Sequence, residues 1–383
     1  MKTIIAFHSN QISVTGTEIA LFDYAAGNED VLGGKSIILH NKNSKNNEKS
    51  AIDKFSKRFE VIAYDTFSDV DSHLKRHNAS LMYMIKSGKN DGLISRVVPT
   101  MVHAVFPTNP LQAHGASYAY VSEWLSRRCS ADRIPCVPHL VELPKIDEDL
   151  RDELGIARAD IVIGSYGGRF NFDIPEARLA IEELLSTSAG LKFIFMNTEP
   201  FTNQPSAIFL PGSTDLDYKV KFINTCDAML HARRLGESFG LACAEFSICN
   251  KPIITYKHNK HTHHHDILGN KAFYFSDKQS LIEIITSIDP LVTKQKNWDC
   301  YSQRYNQTKV MSLFDKHLIY PASTNSSLDK PNLDIDVGAV SAFIGLKFSM
   351  FVNSRWYPKA VIQRYHWFKI MAVLDANSLY LAK

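Results

Sequence analysis

Short apolar segments alternate with amphipathic segments along this chain, and the alternation occurs twice before about residue 290. Near-continuous apolar strands separated by helices predict parallel sheets that are covered by helices on both faces. The pattern breaks at 138–153, where two prolines and a charged run occur. We therefore predict an α/β protein with two doubly wound, Rossmann-like domains facing each other across a cleft, the first at 1–145 and the second at 146–320. Ligands of such sheets bind at the carboxyl ends of the strands.

Six strands are predicted in each half of the chain. Those of the first half are 3–7, 36–39, 61–64, 80–85, 100–104 and 118–121. Those of the second half are 161–166, 192–196, 207–210, 228–231, 252–255 and 272–274. The principal helices are predicted at 17–26, 122–129, 175–185, 218–225, 239–249 and 278–285.

The composition is that of a soluble globular protein, with 45% hydrophobic and 22% charged residues. The net charge of +3 over 383 residues gives no reason to expect nucleic acid as the main partner. Six cysteines without a C-x-x-C pair indicate reduced thiols in a cytosol-like compartment. No run approaches the roughly 20 apolar residues that span a bilayer. A cytoplasmic protein is predicted.

The region 321–383 is predicted to be a linker followed by a helical tail. Residues 321–331 are rich in Ser, Asn and Pro, and 339–383 mix aromatic residues with Lys and Arg. Such a tail either packs on the body as a helical appendage or offers a basic aromatic surface to a partner. In the second case the partner is either a membrane surface, which the tail would contact peripherally, or a molecule that bears the acceptor.

The segment 227–246 carries the most informative pattern for function. An apolar strand leads into a polar loop with Glu237, and a helix is predicted to begin at Ser238 or the next residue. Ser238 is a good N-cap, and Gly236 and Gly240 allow the backbone to approach a ligand closely. Free amides at a helix start, aided by the helix dipole, form a site for a diphosphate.

Glu237 and Glu245 are eight positions apart, which is on the order of 12 Å along a helix. They therefore suit the two ends of an extended ligand such as a nucleotide-sugar, which carries a sugar on one side of its diphosphate and a ribose on the other. Carboxylates bind vicinal hydroxyls well because they accept two hydrogen bonds. The alternative is a capping loop, in which Glu237 favours the dipole and Glu245 is a solvated helix residue.

A glutamate, a Ser-Phe-Gly turn and a second glutamate at this spacing resemble the signature of the family 4 retaining glycosyltransferases of the GT-B fold. The resemblance extends over roughly 1–310. The stretch 151–169 is similar to the start of the family's second domain, and 252–254 to the strand after its motif helix. The lysine- and asparagine-rich composition is also similar to that of enzymes from large algal DNA viruses, which would place the protein in a host cytoplasm.

The resemblance implies a role for each part of the motif. Glu237 would orient hydroxyls of the transferred sugar, and Glu245 would bind the ribose. The donor-binding turn between them comprises Ser238, Phe239, Gly240 and Leu241, and the amides of the last three would hold the pyrophosphate.

Further positions are implied by the same resemblance. His103, at a strand end, matches the histidine beside the transferred sugar, and Arg169 matches the arginine that neutralises the pyrophosphate. Gly16 and Thr17 lie in the turn that approaches the donor phosphates. Lys219 lies where some relatives contact the base or the ribose. The structural alternatives are a core histidine, a plain helix cap and a solvated lysine.

One departure from the family is the absence of a lysine five or six residues after Arg169, where 171–175 read Asn-Phe-Asp-Ile-Pro. The leaving group then meets less positive charge, so transfer is expected either to be weak or to be assisted by a divalent cation such as Mg²⁺ or Mn²⁺. No other cofactor is expected. The histidine-rich stretch 258–265 is predicted to be a surface or cleft loop rather than a metal site.

The resemblance implies retaining transfer of a hexose from a nucleotide-sugar to a hydroxyl of a glycan, glycoprotein or lipid acceptor. GDP-mannose is the first predicted donor and UDP-glucose the second. A nicotinamide-dependent oxidoreductase is a rival, but 8–16 lacks the G-x-G-x-x-G that it requires after the first strand. The second rival is a non-catalytic or weakly active nucleotide-sugar-binding protein.

Overall fold

Residues 2–352, which the computed structural model describes, form two six-stranded sheets in which every strand pair is parallel. The strands of the first sheet are β1 (Ile4–Ser9), β2 (Lys35–Asn41), β3 (Glu60–Tyr64), β4 (Leu81–Lys86), β5 (Thr100–Ala104) and β6 (Ser117–Tyr120). Those of the second are β7 (Ile161–Tyr166), β8 (Leu191–Met196), β9 (Ala207–Leu210), β10 (Ala228–His231), β12 (Ile253–Tyr256) and β14 (Ala272–Phe275). A separate short pair joins β11 (Gly236–Glu237) to β13 (His261–Thr262).

The two sheets have the same doubly wound topology. Their strand orders are β3-β2-β1-β4-β5-β6 and β14-β12-β10-β7-β8-β9, so the direction of winding reverses beside β1 and β7. All twelve predicted strands are present, with bounds within two residues of the prediction. They were recognisable because interior strands such as β5 are buried at every position and are therefore mostly apolar. The predicted α/β class with two Rossmann-like domains is confirmed.

Helices connect the strands of both sheets, and further helices follow β14 in sequence. The helices are α1 (Gly16–Asp30), α2 (Lys49–Ser56), α3 (Val70–Arg76), α4 (Glu123–Ser130), α5 (Pro175–Thr187), α6 (Leu216–Thr225), α7 (Leu241–Ile248), α8 (His263–Leu268), α9 (Lys278–Thr286), α10 (Pro290–Thr293), α11 (Ser302–Tyr305), α12 (Gln307–Phe314), α13 (Tyr320–Thr324) and α14 (Val337–Val352). Two 3₁₀ turns, Phe67–Asp69 and Pro110–Gln112, and a π-helical turn, Asp315–Ile319, complete the described elements.

The chain returns to the first sheet after α11. The Phe314 ring of α12 lies 5.1 Å from Tyr24 and 6.4 Å from Phe7, and both of these residues belong to the first half of the chain. Ser117 of β6 donates a hydrogen bond to the carbonyl of Leu318 at 2.8 Å. Residues following α11 therefore pack on the first domain, although they come after the second domain in sequence.

The predicted linker at 321–331 is not wholly irregular, because α13 occupies its first positions. Helix α14 packs against α4, and Arg133 Nη2 lies 2.7 Å from Asp336 just before α14 begins. The tail thus starts as a helix packed on the body, but the aromatic and basic residues predicted after Val352 lie outside the described residues. Within residues 2–352, no helix combines the length and the apolar character that crossing a bilayer requires.

Candidate functional site

A cleft of ≈ 430 Å³ lies where the carboxyl ends of the two sheets face each other. The first domain contributes the start of α1 and the loop after β5, and the second contributes the loops after β7 and β10 and the start of α7. Its principal lining residues are Gly16, Thr17, Val105, Phe106, His139, Tyr166, Gly167, Gly168, Asn171, Lys219, Arg233, Glu237, Ser238, Phe239, Gly240, Leu241, Ala242 and Glu245. Most of the residues predicted from the motif therefore meet in one cavity.

Helix α7 begins at Leu241, later than predicted, because Gly240 adopts a left-handed conformation with φ of 93°. Ser238 is consequently not the N-cap. Its hydroxyl instead donates to the carbonyl of Val105 at 3.0 Å and so links the second domain to the first. The amides of the first helical turn have no intrahelical acceptor, and those of Leu241 and Ala242 belong to residues that line the cleft. The amide of Phe239, which was also predicted to bind the pyrophosphate, lies before this turn.

Glu237 is held by both the backbone and the side chains around it. Gly236 has a φ of 71°, and a Cβ there would lie 2.1 Å from the carbonyl oxygen of His261, so only glycine allows β11 to approach β13. Both Glu237 oxygens lie 2.9 Å from Arg233 Nη1, and Oε1 lies 3.2 Å from His231 Nε2. Burial alone would raise the pKa of Glu237, but the His231 hydrogen bond and the Arg233 charge outweigh it and lower the pKa. The carboxylate is therefore ionised at neutral pH.

Glu245 is also paired, and it is not the solvated helix residue of the alternative interpretation. Its Oε1 accepts from Lys219 Nζ at 2.8 Å, and its Oε2 accepts from the hydroxyl of Tyr166. Lys219 and Glu245 are 5% and 6% exposed, so the ion pair is buried at one end of the cleft. The two glutamates of the motif thus hold separate ion pairs that both line the cavity.

The arginine at the cleft is not the predicted one. Arg169 is 64% exposed, its Nε donates to Glu199 at 2.6 Å, and it is absent from the cleft lining. Arg233 lines the cleft instead, two residues after β10 ends. The adjacent backbone amide of Arg234 donates to Asp173 at 2.6 Å, which lies in the segment where the family's lysine is missing. The signal for Arg233 in the sequence was its place between a strand end and the first glutamate.

His103 is placed in the core rather than at the cleft. It is fully buried, its Nδ1 accepts from the hydroxyl of Tyr83 at 2.8 Å, and its Nε2 donates to the carbonyl of Val137 at 2.8 Å. The histidine that lines the cleft is His139, whose ring lies 5.2 Å from Phe239. Burial lowers the pKa of His139 to about 3, so its imidazole is neutral. Sequence reasoning missed His139 because it lies in the irregular segment between the two sheets.

The start of α1 forms the opposite wall of the cleft. Gly16 and Thr17 line it, and a Cβ on Gly16 would lie 3.8 Å from Leu241 Cδ1 at the start of α7. Two helix N-termini therefore approach the same space, and both dipoles favour an anion there. Glu18 turns away from this space and accepts from Ser13 at 3.1 Å.

Asp23 on α1 gives a prediction about pH and stability. Burial raises its pKa to about 7 in the folded protein, against the opposing charges of Lys54 and Lys219. Its ionisation therefore costs stability: the contribution of the protonated Asp23 is fully present below about pH 4 and is lost as the pH rises to about 7. Asp23→Asn should raise the free energy of unfolding at pH 8, by at most about 4 kcal/mol at about 1.4 kcal/mol per pH unit, and by little at pH 4.

Chemical denaturation at both pH values measures this difference. The exposed Asp53 on α2 supplies a matched control, since Asp53→Asn should change the free energy of unfolding by less than about 0.5 kcal/mol. An equal gain from Asp23→Asn at pH 4 and pH 8 would contradict the assignment.

The histidine-rich stretch is not the surface or cleft loop that was predicted. Residues from 263 form α8, and His261, His263 and His264 are buried. They were mistaken for loop because their burial depends on contacts with distant elements, such as the 5.2 Å ring contact of His261 with Trp124. Within residues 2–352, no cluster of three or more His, Cys, Asp or Glu side chains is arranged to hold a metal ion.

No protein-family model and no curated protein sequence matches the chain. Solved structures are similar to it in fold. The structure of HepE from Anabaena in complex with UDP and glucose is 14% identical, with a TM-score of 0.58 over 82% of this chain and 98% of that one. A glycosyltransferase from Rickettsia africae is 11% identical, with a TM-score of 0.56 over 92% and 100%. MnaA from S. aureus in complex with UDP is 10% identical, with a TM-score of 0.53 over 84% and 96%. At such identities the comparison concerns the fold alone, and it agrees with the two sheets and their cleft: this chain has the GT-B fold.

Proposed function

We propose that this protein is a glycosyltransferase that moves a sugar from a UDP-sugar, with UDP-glucose as the first candidate, to an acceptor hydroxyl. The observation that carries the proposal is the meeting of the Arg233–Glu237 pair with the starts of α1 and α7 in one interdomain cleft. HepE of the same fold has been solved with UDP-glucose, and MnaA with UDP. These complexes favour uridine over the guanosine of GDP-mannose.

The diphosphate would lie between the two helix starts. The amides of Leu241 and Ala242 and the dipoles of α1 and α7 offer hydrogen bonds and partial positive charge without a metal. Arg233, although paired with Glu237, would add guanidinium hydrogen-bond donors at the same place and so take over part of the role of the lysine that is missing at 171–175. We accordingly expect transfer to proceed without Mg²⁺ or Mn²⁺.

The two motif glutamates would hold the two ends of the donor. Glu237, ionised beside Arg233, would accept hydrogen bonds from the sugar hydroxyls. Glu245, with Lys219 and Tyr166, would meet the ribose, since this buried group offers both donors and an acceptor. We assign to His139 the place beside the sugar that His103 was predicted to occupy, because His139 lines the cleft.

A retaining reaction is part of the proposal. Both carboxylates in the cleft lining are engaged in ion pairs, which makes each a weak nucleophile toward the anomeric carbon. The bond to the leaving diphosphate would break as negative charge grows beside Arg233 and the α7 amides, which are preorganised for it. The departing phosphate would accept the proton of the acceptor hydroxyl on the same face of the sugar, as the family 4 resemblance implies.

The acceptor and the location of the protein belong to the same proposal. The acceptor would be a glycan, a glycoprotein or a lipid. The enzyme would be cytoplasmic, and residues 339–383 would give it peripheral contact with a membrane.

Calorimetry with UDP, GDP, UDP-glucose and GDP-mannose tests donor binding, and product analysis tests the reaction. UDP and UDP-glucose should bind with micromolar to millimolar Kd, and the guanosine ligands at least about 10-fold more weakly. With UDP-glucose alone, slow release of UDP is expected as glucose is transferred to water, at the same rate in EDTA. No binding across the panel would refute the proposal. Binding without UDP release would indicate a nucleotide-sugar-binding protein, and change of the sugar's configuration at C2 would indicate an epimerase.

A matched pair of arginine variants locates the site within the same experiment. Arg233→Ala should weaken UDP binding by at least about 10-fold, because a charge that faces the diphosphate is removed. Arg169→Ala should change it by less than about 2-fold, since that side chain is exposed and off the cleft. A larger loss of UDP binding in Arg169→Ala than in Arg233→Ala would show that Arg169 neutralises the pyrophosphate, as the sequence predicted.

A further inference from the structure

A chain of buried polar side chains lies directly behind Glu237. His231 Nε2 is 3.2 Å from Glu237 Oε1, and His231 Nδ1 is 2.9 Å from the Thr255 hydroxyl. That hydroxyl is in turn 3.1 Å from His264 Nε2. Thr255 and His264 are 0% exposed and His231 is 6% exposed, so water does not compete for these contacts.

Asn259 lies at the far end of this series of hydrogen bonds, and its contacts allow only one orientation of its side-chain amide. Its Nδ2 donates to the carbonyl of Arg233 at 2.6 Å, and its Oδ1 lies 3.1 Å from His264 Nε2 and 3.0 Å from His265 Nε2. A flipped amide would place its oxygen against the carbonyl of Arg233, where no hydrogen atom is available. The side-chain oxygen of Asn259 therefore faces the two imidazoles, and it can only accept.

The direction of every following hydrogen bond is set by this acceptor. His264 must carry its proton on Nε2, and burial holds its pKa well below the ordinary value, so the ring is neutral. The Thr255 oxygen accepts from the same Nε2–H, so its own hydrogen is free to point to His231 Nδ1. With Nδ1 accepting, His231 carries its proton on Nε2, which faces Glu237.

We propose that Asn259, His264, Thr255 and His231 form a directional hydrogen-bond relay that orients the Glu237 carboxylate toward the sugar, which makes Thr255 and His231 positioning residues for sugar transfer. The inference rests on the proposed function. It gives a role to His264 of the histidine-rich stretch, which otherwise has no part in donor binding.

The relay holds both ends of the loop 233–237, which follows β10 and carries the Arg233–Glu237 pair. At one end Asn259 holds the carbonyl of Arg233, and at the other His231 holds the carboxylate of Glu237. Between these ends, β11 pairs with β13, so that Glu237 lies opposite Thr262. Without the His231 donor, the carboxylate is free to turn about its side-chain bonds while it still pairs with Arg233. Groups that act on a transition state lose effect when their orientation is not fixed.

Conservative variants test the positioning role. Thr255→Val removes the hydroxyl with little change of volume and should lower kcat for UDP-glucose about 10-fold, with UDP affinity changed less than about 2-fold. Thr255→Ser keeps the hydroxyl and should restore the rate. His231→Gln, whose amide nitrogen takes the place of Nε2, should keep at least about 5-fold more activity than His231→Asn, although both lose the ring. Equal rates for Thr255→Val and Thr255→Ser, or for the two His231 variants, would overturn the proposal.

Nuclear magnetic resonance of histidines labelled with ¹⁵N tests the relay without any activity. In the wild-type protein both His231 and His264 should carry a proton on Nε2, and in Thr255→Val the His231 Nδ1 signal should shift because that nitrogen loses the hydrogen bond from the hydroxyl. An Nδ1–H tautomer for His231 in the wild-type protein would refute the relay itself. Confirmed tautomers in a protein that neither binds UDP nor releases it from UDP-glucose would refute the proposed function and, with it, the positioning role.

Discussion

Replacing Glu237 by glutamine is expected to lower the rate of transfer from UDP-glucose by about 10²–10³-fold. The amide keeps the shape of the side chain but removes the negative charge that Arg233 and His231 stabilise, and with it the strong acceptor for the sugar hydroxyls. An interaction that is stronger in the transition state than in the ground state appears in kcat. Binding of UDP, which lacks the sugar, should change by less than about 3-fold. Initial rates and calorimetry with UDP measure the two quantities.

Glu199→Gln is the matched control for this variant. Glu199 is also paired with an arginine, Arg169, but the pair is exposed and lies off the cleft, so the rate should stay within about 2-fold of the wild type. If Glu237→Gln reduced UDP binding and turnover by the same factor, the role assigned to Glu237 on the sugar would be wrong.

Lys219→Met should destabilise the protein by about 3–5 kcal/mol, because it leaves the buried carboxylate of Glu245 without its counter-charge. The double variant Lys219→Met with Glu245→Gln should recover most of this loss, since neither charge is then buried alone. Urea denaturation of the single and double variants measures both values. Because both side chains line the cleft, UDP binding should remain weak in the double variant even where stability returns.

The same helix offers an internal comparison. Lys221, two residues along α6, pairs with Glu148 at 2.8 Å, but its side chain is 34% exposed and that of Glu148 is 71% exposed. Lys221→Met should therefore cost less than about 1 kcal/mol. Similar losses from the two lysine variants would show that burial does not govern the Lys219–Glu245 pair.

The strands were predictable from sequence because their signal is local. Each central strand is apolar at successive positions, and each is bounded by a loop or a helix, so a short window is enough to recognise it. The motif around Glu237 and Glu245 was predictable for a related reason. Its residues lie in one segment after a strand end, and one helix start brings them to the cleft.

The residues that were misplaced depend on contacts between distant parts of the chain. Arg169 and Arg233 follow their strands in similar ways, and only the packing of the loops decides which guanidinium faces the cleft. His103 ends a strand as predicted, but Tyr83 and Val137 take up both of its ring nitrogens. The start of α7 moved because Gly240 adopts a positive φ, a conformation that the residue type permits without requiring.

The central claim is that the cleft between the two domains holds a nucleoside diphosphate at the start of α7. A crystal structure of the protein with UDP tests it most directly. The proposed site predicts phosphate oxygens within hydrogen-bonding distance of the amides of Leu241 and Ala242 and of the Arg233 guanidinium, with the ribose beside Glu245. UDP bound outside the cleft, or with its phosphates on Arg169, would contradict the claim.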